Sequence, residues 1–412
     1  MKIYKCRFCK KTLKHKFADL GISPIANDYI RPENAGIPDK LYPLCVYVCS
    51  NCFLVQIPNL IAREKIFNDQ YAYFSSYSDS WLTHAKEYVE MISKKLSLND
   101  KKTVVELASN DGYLLQYFKS KNIPVLGIDP SANVAAIAEN RGIKTLIEFF
   151  GKTCAEKIVK KGIKADLIIA NNVLAHVPDL NDFVSGIKQL LKNTGTATLE
   201  FPYLSQMIDN NEFDTIYHEH YSYFSLIAVN NIFSAHNLTV YEVEEIPTHG
   251  GSLRIYIRHS NNKRIKMHRS VFKMLKREIN KGLNNIHFYS KFQMQVSVTK
   301  KNLMEFLSRA KKSGKTVAAY GAPAKGNTLL NYCGINSKII DFTVDKSPYK
   351  QNHLLPGSRI PVYSPEKLAE INPDYILILP WNLKREIISQ MKSYKNLTSK
   401  FIIPIPRVEI SS

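Results

Sequence analysis

Apolar positions along this chain fall into repeated short runs, each followed by a turn and then by apolar residues at helical spacing. At 103–118, TVVELASNDGYLLQYF, a β-branched run gives way to a turn containing Asn110, Asp111 and Gly112, and then to a helical pattern. At 123–140, IPVLGIDPSANVAAIAEN, a second apolar strand ends at Asp129 and another helix follows. A third short strand in GIKTLIEFFG leads to Phe149 and Phe150. ADLIIANNVLAHVPDLNDFV supplies a continuously apolar fourth strand ending in Asn171 and Asn172, with His176 just beyond. The alternation predicts a parallel sheet with helices between its strands. THGGSLRIYIRH alternates as a further strand, and a basic stretch from about Ser270 to Lys312 reads as helical. The strand, glycine turn and helix order then returns in GKTVAAYGAPAKGNTLLNY, and IIDFTVDKSPYKQ adds a strand leading to Asp345. Two α/β halves are expected.

A chain of 412 residues is long for one core, which agrees with two or three domains. Hydrophobic residues at 45% and charged residues at 22% are ordinary for a soluble protein. The first twenty residues contain no long apolar stretch, and no run elsewhere is long enough to span a bilayer. Neither export nor membrane insertion is expected, and the cytoplasm is the default location. The net charge of +20 attracts anionic partners, among them nucleic acid, phospholipid and nucleotide diphosphates. The basic residues are scattered, densest around Arg258 to Lys281, as on a solvated surface, so no nucleic-acid partner is expected. A monomer is expected.

Four of the seven cysteines form two CxxC pairs, Cys6 with Cys9 in CRFC and Cys49 with Cys52 in CSNC. Two-residue spacing lets each pair hold one edge of a tetrahedral zinc ion. Four thiolates close the shell, so the metal is expected to be structural. Cys45 lacks a CxxC partner, and Cys154 and Cys333 read as core residues.

Asp129 follows the first turn by about twenty positions, where an acidic strand tip accepts the hydroxyls of a ribose. The turn keeps only Gly112; Glu106, Ala108 and Asn110 precede it, so a pyrophosphate cradle is not expected. The loop resembles the first motif of class I methyltransferases, although Ala108 stands where a glycine is usual. That resemblance implies S-adenosylmethionine, whose ribose and adenine carry no phosphate. Glu106, Ala108, Asn110, Gly112 and Asp129 would then bind the cofactor, Phe149 would pack on adenine, and Asn171 would line the site. Asn171-Asn172-Val173-Leu174 departs from the Asn-Pro-Pro-aromatic tetrad of nucleobase amino-methylating enzymes.

FDTIYHEHYSYFS gathers Tyr217, His218, Glu219 and His220 into one short segment, and ionisable groups at this density point to general acid/base work. The ordered set CRFC, CSNC, YAYFSSYSDSW, ELASNDGYLL, NNVLAHVPDL, EFP, DTIYHEHYSYF, THGGSLR, AYGAPAKGNTLLNY and LPWNLKREI resembles the three-domain, zinc-containing sugar C-methyltransferases of deoxysugar biosynthesis. The resemblance covers nearly the whole chain. It implies methylation at C-3 of a nucleotide-linked, usually dTDP-linked, 4-keto-6-deoxyhexose through an enolate. Tyr217, Glu219 and His220 match the family's catalytic segment and His176 its histidine beyond the fourth strand. The expected roles are His220 as base helped by Glu219, with His176 and Tyr217 holding the ketone or enolate. Tyr71 and Tyr73 resemble a lid. Lys325 and Asn327 are phosphate candidates, and Arg254 in GGSLR is a further anion-binding candidate. The expected architecture is α/β: a zinc-binding module and lid at 1–70, a class I (Rossmann-like) methyltransferase domain at 71–245, and a second Rossmann-like domain at 246–412 that helps hold the nucleotide-sugar. An RNA methyltransferase and a non-catalytic sugar-nucleotide binding protein are the competing readings.

Overall fold

The structure, a computed structural model, describes residues 3–66, 74–392, 394 and 397–411. Tyr71 and Tyr73 lie outside the described residues. The chain forms two compact units interleaved in sequence. The first takes Met1–His15, Val48–Leu204 and Tyr221–Ile286; the second takes Lys16–Tyr47, Ser205–His220 and His287–Ser412.

In the first unit the apolar runs become β1 (Val104–Leu107), β2 (Val125–Asp129), β3 (Thr145–Ile147) and β4 (Ala165–Asn171). They continue into β5 (Leu191–Pro202), β6 (Leu238–Ile246) and β7 (Ser252–His259). The sheet order is β6-β7-β5-β4-β1-β2-β3. β1 to β5 run parallel, while β7 is antiparallel to both of its neighbours. Every residue of β1 and β4 is buried, the reason both read as unbroken apolar runs. The chain steps outward from β1 to β3 and returns to lay β4 on the other side of β1. Ligands bind at the carboxyl ends of strands at such a switch point. Helix Asp79–Lys95 places Trp81, Ala85, Tyr88, Val89 and Ile92 on the face that meets this core. Ser78 caps its start by accepting from the Trp81 amide.

The basic stretch after β7 is not one helix. Gly282, at φ 97°, closes Arg269–Lys281 with a left-handed cap, and the next long helix runs Phe292–Lys312. No helix among the described residues is long and apolar enough to cross a membrane.

The second unit carries β8 (Val317–Tyr320), β9 (Thr343–Val344), β10 (Val362–Tyr363), β11 (Tyr375–Ile378), β12 (Lys400–Ile403) and β13 (Glu409–Ser411). Their order is β10-β9-β8-β11-β12-β13, parallel except for the last. This is the Rossmann-like order expected of the second half. Gly321, at φ 89°, makes the turn between β8 and helix Ala324–Cys333, and a Cβ there would fall 2.6 Å from Cδ of Pro380.

The four paired cysteines converge in the first unit, their sulfurs all within 4.8 Å of one another. Each CxxC closes the same way: Lys10 and Phe53, both at positive φ, return their amides to the carbonyls of Cys6 and Cys49. None is in a disulfide. The Sγ atoms stand 3.6 Å apart for Cys6 with Cys52 and 3.4 Å for Cys9 with Cys49. Thiols so crowded cannot all ionise on their own: the Cys6 thiolate is favoured by hydrogen bonds from Cys49 and Cys52, while hydrogen bonding with Cys49 and Cys6, and burial, push Cys52 up. A divalent cation would reconcile four thiolates, and this donor set suits zinc. Between the ligands, the buried Arg7 donates to the carbonyls of Pro178 (2.8 Å) and Ile57 (2.5 Å) and lies 5.2 Å from the Tyr221 ring. The metal loop is thereby joined to the segment after β4. Chelation or Cys52→Ser should release zinc, measured by mass spectrometry of the metal, and lower the thermal midpoint by several degrees. Cys45→Ser should keep the metal.

Candidate functional site

The turn after β1 holds three residues in the left-handed region: Ala108 (φ 53°), Asn110 (φ 49°) and Gly112 (φ 79°). Asparagine tolerates that conformation, whereas alanine costs about 1 kcal/mol there. At Gly112 a Cβ would also meet Cδ1 of Ile143 at 2.6 Å. Asp129, at the tip of β2, accepts from the amides of Asn110 and Ser131, each at 2.9 Å. Burial still pushes its carboxyl up to about 6. Glu106 is wholly buried in β1, and burial holds its carboxyl well above the usual range despite a hydrogen bond from Tyr113. Oε2 of Glu106 and both side-chain polar atoms of Asn171 are buried without hydrogen-bond partners among the described residues. Polar atoms buried this way cost about 1–3 kcal/mol each unless a ligand satisfies them. They stand at or near the carboxyl ends of neighbouring strands, where the hydroxyls and amine of S-adenosylmethionine would be met.

The two phenylalanines after β3 differ. Phe150 packs edge-on against Phe183, with ring centroids 5.4 Å apart. Phe149 is half-buried, and the Arg63 guanidinium lies 4.2 Å from its ring. His176 ends a 3-10 turn, Leu174–His176, one residue after Ala175, whose carbonyl accepts from the Tyr221 amide. The segment 75–76 is fastened to the turn, since the Ser75 amide donates to Asn110 Oδ1 (2.9 Å) and the Ser76 hydroxyl to Asp111.

Arg254 does not offer an open charge. Pairing of β5, β6 and β7 sets it beside Glu200 and Glu244 in one row, and its guanidinium contacts them at 2.6 and 3.1 Å. His84 takes the other oxygen of Glu200 at 2.9 Å. Sequence reading missed His84 and Glu200. The signal was a carboxylate in the otherwise apolar TATLEF, which must find partners when buried.

In the second unit, residues 213–220 ride on helix Ala324–Cys333. Thr328 donates to the Ile216 carbonyl at 2.9 Å, and Phe213 meets Tyr332 edge-on at 5.4 Å. Nδ1 of His220 lies 2.8 Å from the Thr215 carbonyl. A carbonyl can only accept, so Nδ1 carries a proton; in the neutral ring Nε2 then keeps its lone pair, with the Tyr217 hydroxyl 2.7 Å away to donate to it. His218 faces elsewhere: its Nε2 is 3.3 Å from the Pro43 carbonyl, and burial lowers its basicity. Glu219 is wholly buried and raised to about 7 by that burial, with Asn27 donating to it.

The phosphate candidates fare unequally. Lys325 reaches Asn382 at 3.0 Å and lies 4.4 Å from the Trp381 ring. The buried carboxyls of Glu212 and Asp214 both feel its charge, and Asp214 accepts from the Trp381 indole at 2.7 Å. Asn327 is turned into the fold, its amide donating to the Ala26 carbonyl at 2.6 Å. The amides of Gly321 and Ala322 go to the Val344 carbonyl and the Asp345 carboxylate. This glycine turn is therefore already filled by its own chain.

A sheet of this topology is the class I methyltransferase fold, and with the methyltransferase domain family model over residues 81–243 it marks an S-adenosylmethionine-dependent methyltransferase. Family models cover the rest: a zinc binding domain matches residues 6–67 and the C-methyltransferase C-terminal domain 247–406. The chain belongs to the zinc-containing C-methyltransferases, and it is an enzyme of that class. It is 34% identical over 410 residues to C-methyltransferase NovU of Streptomyces niveus, a match over 100% of this chain and 97% of that one. A ubiquinone biosynthesis O-methyltransferase of Rhodopseudomonas palustris is 27% identical over 106 residues, 26% of this chain and 42% of that protein. A solved S-adenosylmethionine-dependent methyltransferase from Clostridium acetobutylicum overlaps 43% of this chain and 91% of its own at 14% identity, with a TM-score of 0.35.

If Asp129 receives the ribose of the donor, the hydroxyls would favour its ionised form, against the burial that pushes its carboxyl up to about 6. Calorimetry should therefore show S-adenosylhomocysteine binding weakening by about tenfold between about pH 7.5 and about pH 5. Asp129→Asn should bind weakly at both and flatten the dependence.

Proposed function

We propose that this enzyme methylates C-3 of a nucleotide-linked 4-keto-6-deoxyhexose, carried on dTDP, through an enolate. The observation that supports this reading most is the His220 ring, whose Nδ1–H is held by the Thr215 carbonyl and whose Nε2 is paired with the Tyr217 hydroxyl, so that the neutral ring carries its lone pair on Nε2. A C-methyltransferase must make carbon the nucleophile. A C–H bond beside a ketone can be deprotonated by a positioned side chain, because the electron pair passes to the carbonyl oxygen.

In this reading His220 Nε2 takes the C-3 proton, and Glu219 assists. His176 and the Tyr217 hydroxyl steady the developing enolate oxygen, as donors aimed at new negative charge do. S-adenosylmethionine supplies the methyl: the new carbon–carbon bond forms as the carbon–sulfur bond breaks, and S-adenosylhomocysteine leaves. Glu106, Ala108, Asn110, Gly112, Asp129, Phe149 and Asn171 hold the donor. Lys325 is the diphosphate candidate, since the residue is half-buried and, among the described residues, is in no ion pair at contact distance. Asn327 and Arg254 serve the framework, being committed to Ala26 and to Glu200 and Glu244.

With S-adenosylhomocysteine bound in deuterated solvent, the wild-type enzyme should exchange the sugar C-3 hydrogen, followed by proton NMR. His220→Asn should abolish exchange, and unchanged exchange would remove His220 from the role. Tyr217→Phe should slow exchange by about 10- to 100-fold without abolishing it. Complete loss in that variant would make the tyrosine oxygen the base.

A further inference from the structure

Asn27 and Glu219 are 192 residues apart in sequence, yet the Asn27 amide nitrogen donates to both carboxyl oxygens, at 2.9 Å to Oε1 and 2.8 Å to Oε2. A main-chain group of Asn27 also donates to the same carboxyl. The asparagine is itself held. The carbonyl before it, on Ala26, accepts from Asn327 at 2.6 Å, and the Tyr29 hydroxyl two residues later donates to the Ala322 carbonyl. Ile30 then exchanges backbone hydrogen bonds with Leu354, at 3.0 and 2.8 Å. The 26–30 stretch is stapled to the glycine turn after β8, to the helix that follows and to Leu354. An amide so fixed cannot follow a wandering carboxyl; the carboxyl must come to it.

We infer that Asn27 is the positioning residue for Glu219: the fixed amide sets the direction of that carboxyl and how readily it ionises. The choice of side chain matters. A lysine or arginine here would hold Glu219 ionised throughout, and an apolar residue would leave it protonated. Neutral N–H donors offset part of the desolvation, which leaves the group at about 7, where it can change state under working conditions. Among the described residues, burial raises it and the Asn27 donors oppose that rise. The neighbouring titratable group on the facing segment is Tyr29, raised to about 12 by burial, with Lys350 and Asp345 acting on it in turn. On its own segment Glu219 is flanked by Tyr217, His218 and His220. Because N–H donors favour the charged form, their loss leaves burial less opposed and moves ionisation to higher pH.

The catalytic consequence rests on the reading in which Glu219 assists His220, so the test separates the two. Full-length protein with 13C-carboxyl glutamate, saturated with S-adenosylhomocysteine, is titrated by NMR, and Glu219→Gln identifies the signal. The wild-type midpoint should lie near neutrality. Asn27→Ala should raise it by about one pH unit or more, a tenfold change in proton affinity, and Asn27→Ser, which keeps one donor, should fall between. With dTDP-4-keto-6-deoxyglucose as acceptor, the acid limb of kcat/KM should move the same way, with the rate recovering at high pH. Thermal midpoint and S-adenosylhomocysteine affinity check that each variant is folded. An unmoved carboxyl midpoint in folded variants, or a rate lowered equally at every pH, would overturn the inference. If the midpoint shifts as expected while Glu219→Gln turns over at the wild-type rate, the coupling stands and the assisting role of Glu219 falls.

Discussion

One hydrogen bond, from Nδ1 of His220 to the carbonyl of Thr215, decides which ring nitrogen of that histidine keeps a lone pair, and the chemistry open to the HEH segment follows from it. Thr215 is placed by a 3-10 turn, and the next carbonyl, on Ile216, is tied to Thr328. The basic nitrogen is therefore fixed by backbone belonging to the second unit. That unit repeats the Rossmann-like order, but its own glycine turn spends its amides on Val344 and Asp345. The turn helps to hold the segment carrying Asn27 and leads into the helix beneath Tyr217 and His220.

The surface and the interior obey different electrostatics. A net charge of +20 favours anionic partners over long range. Several interior carboxyls have ionised forms disfavoured by desolvation: Glu106 and Asp129 in the first unit, and Glu212, Asp214 and Glu219 in the second. Amides, an indole and a nearby lysine moderate them without cancelling their burial. Where a carboxylate meets a guanidinium directly, as Glu200 meets Arg254 while also hydrogen-bonded to the His84 ring, it is kept ionised and braces neighbouring strands.

Features written in short stretches of chain were legible in the sequence. Four cysteines in two CxxC pairs, the strand and turn order, Asp129 at a strand tip and the density of the HEH segment all depend on local spacing. The break at Gly282 was missed: the basic pattern runs through a glycine of the kind that commonly ends a helix. What the sequence hid was partnership. Asn27 and Glu219 lie 192 positions apart, Asp214 and Trp381 167, and His84 and Glu200 116. Arg254 and Asn327 have side chains suited to anions, but strand register gives one to Glu200 and Glu244, and packing gives the other to Ala26. A side chain's chemistry is a property of the sequence, whereas its availability is set by tertiary contacts.

Locating the transferred methyl tests the central claim most directly. Incubation with [13C-methyl]-S-adenosylmethionine and a panel of dTDP- and GDP-linked 4-keto-6-deoxyhexoses should yield a product whose new methyl carbon couples in NMR to sugar C-3. Label on oxygen or nitrogen, label entering RNA while every sugar stays unlabelled, or no transfer to any keto sugar would contradict it.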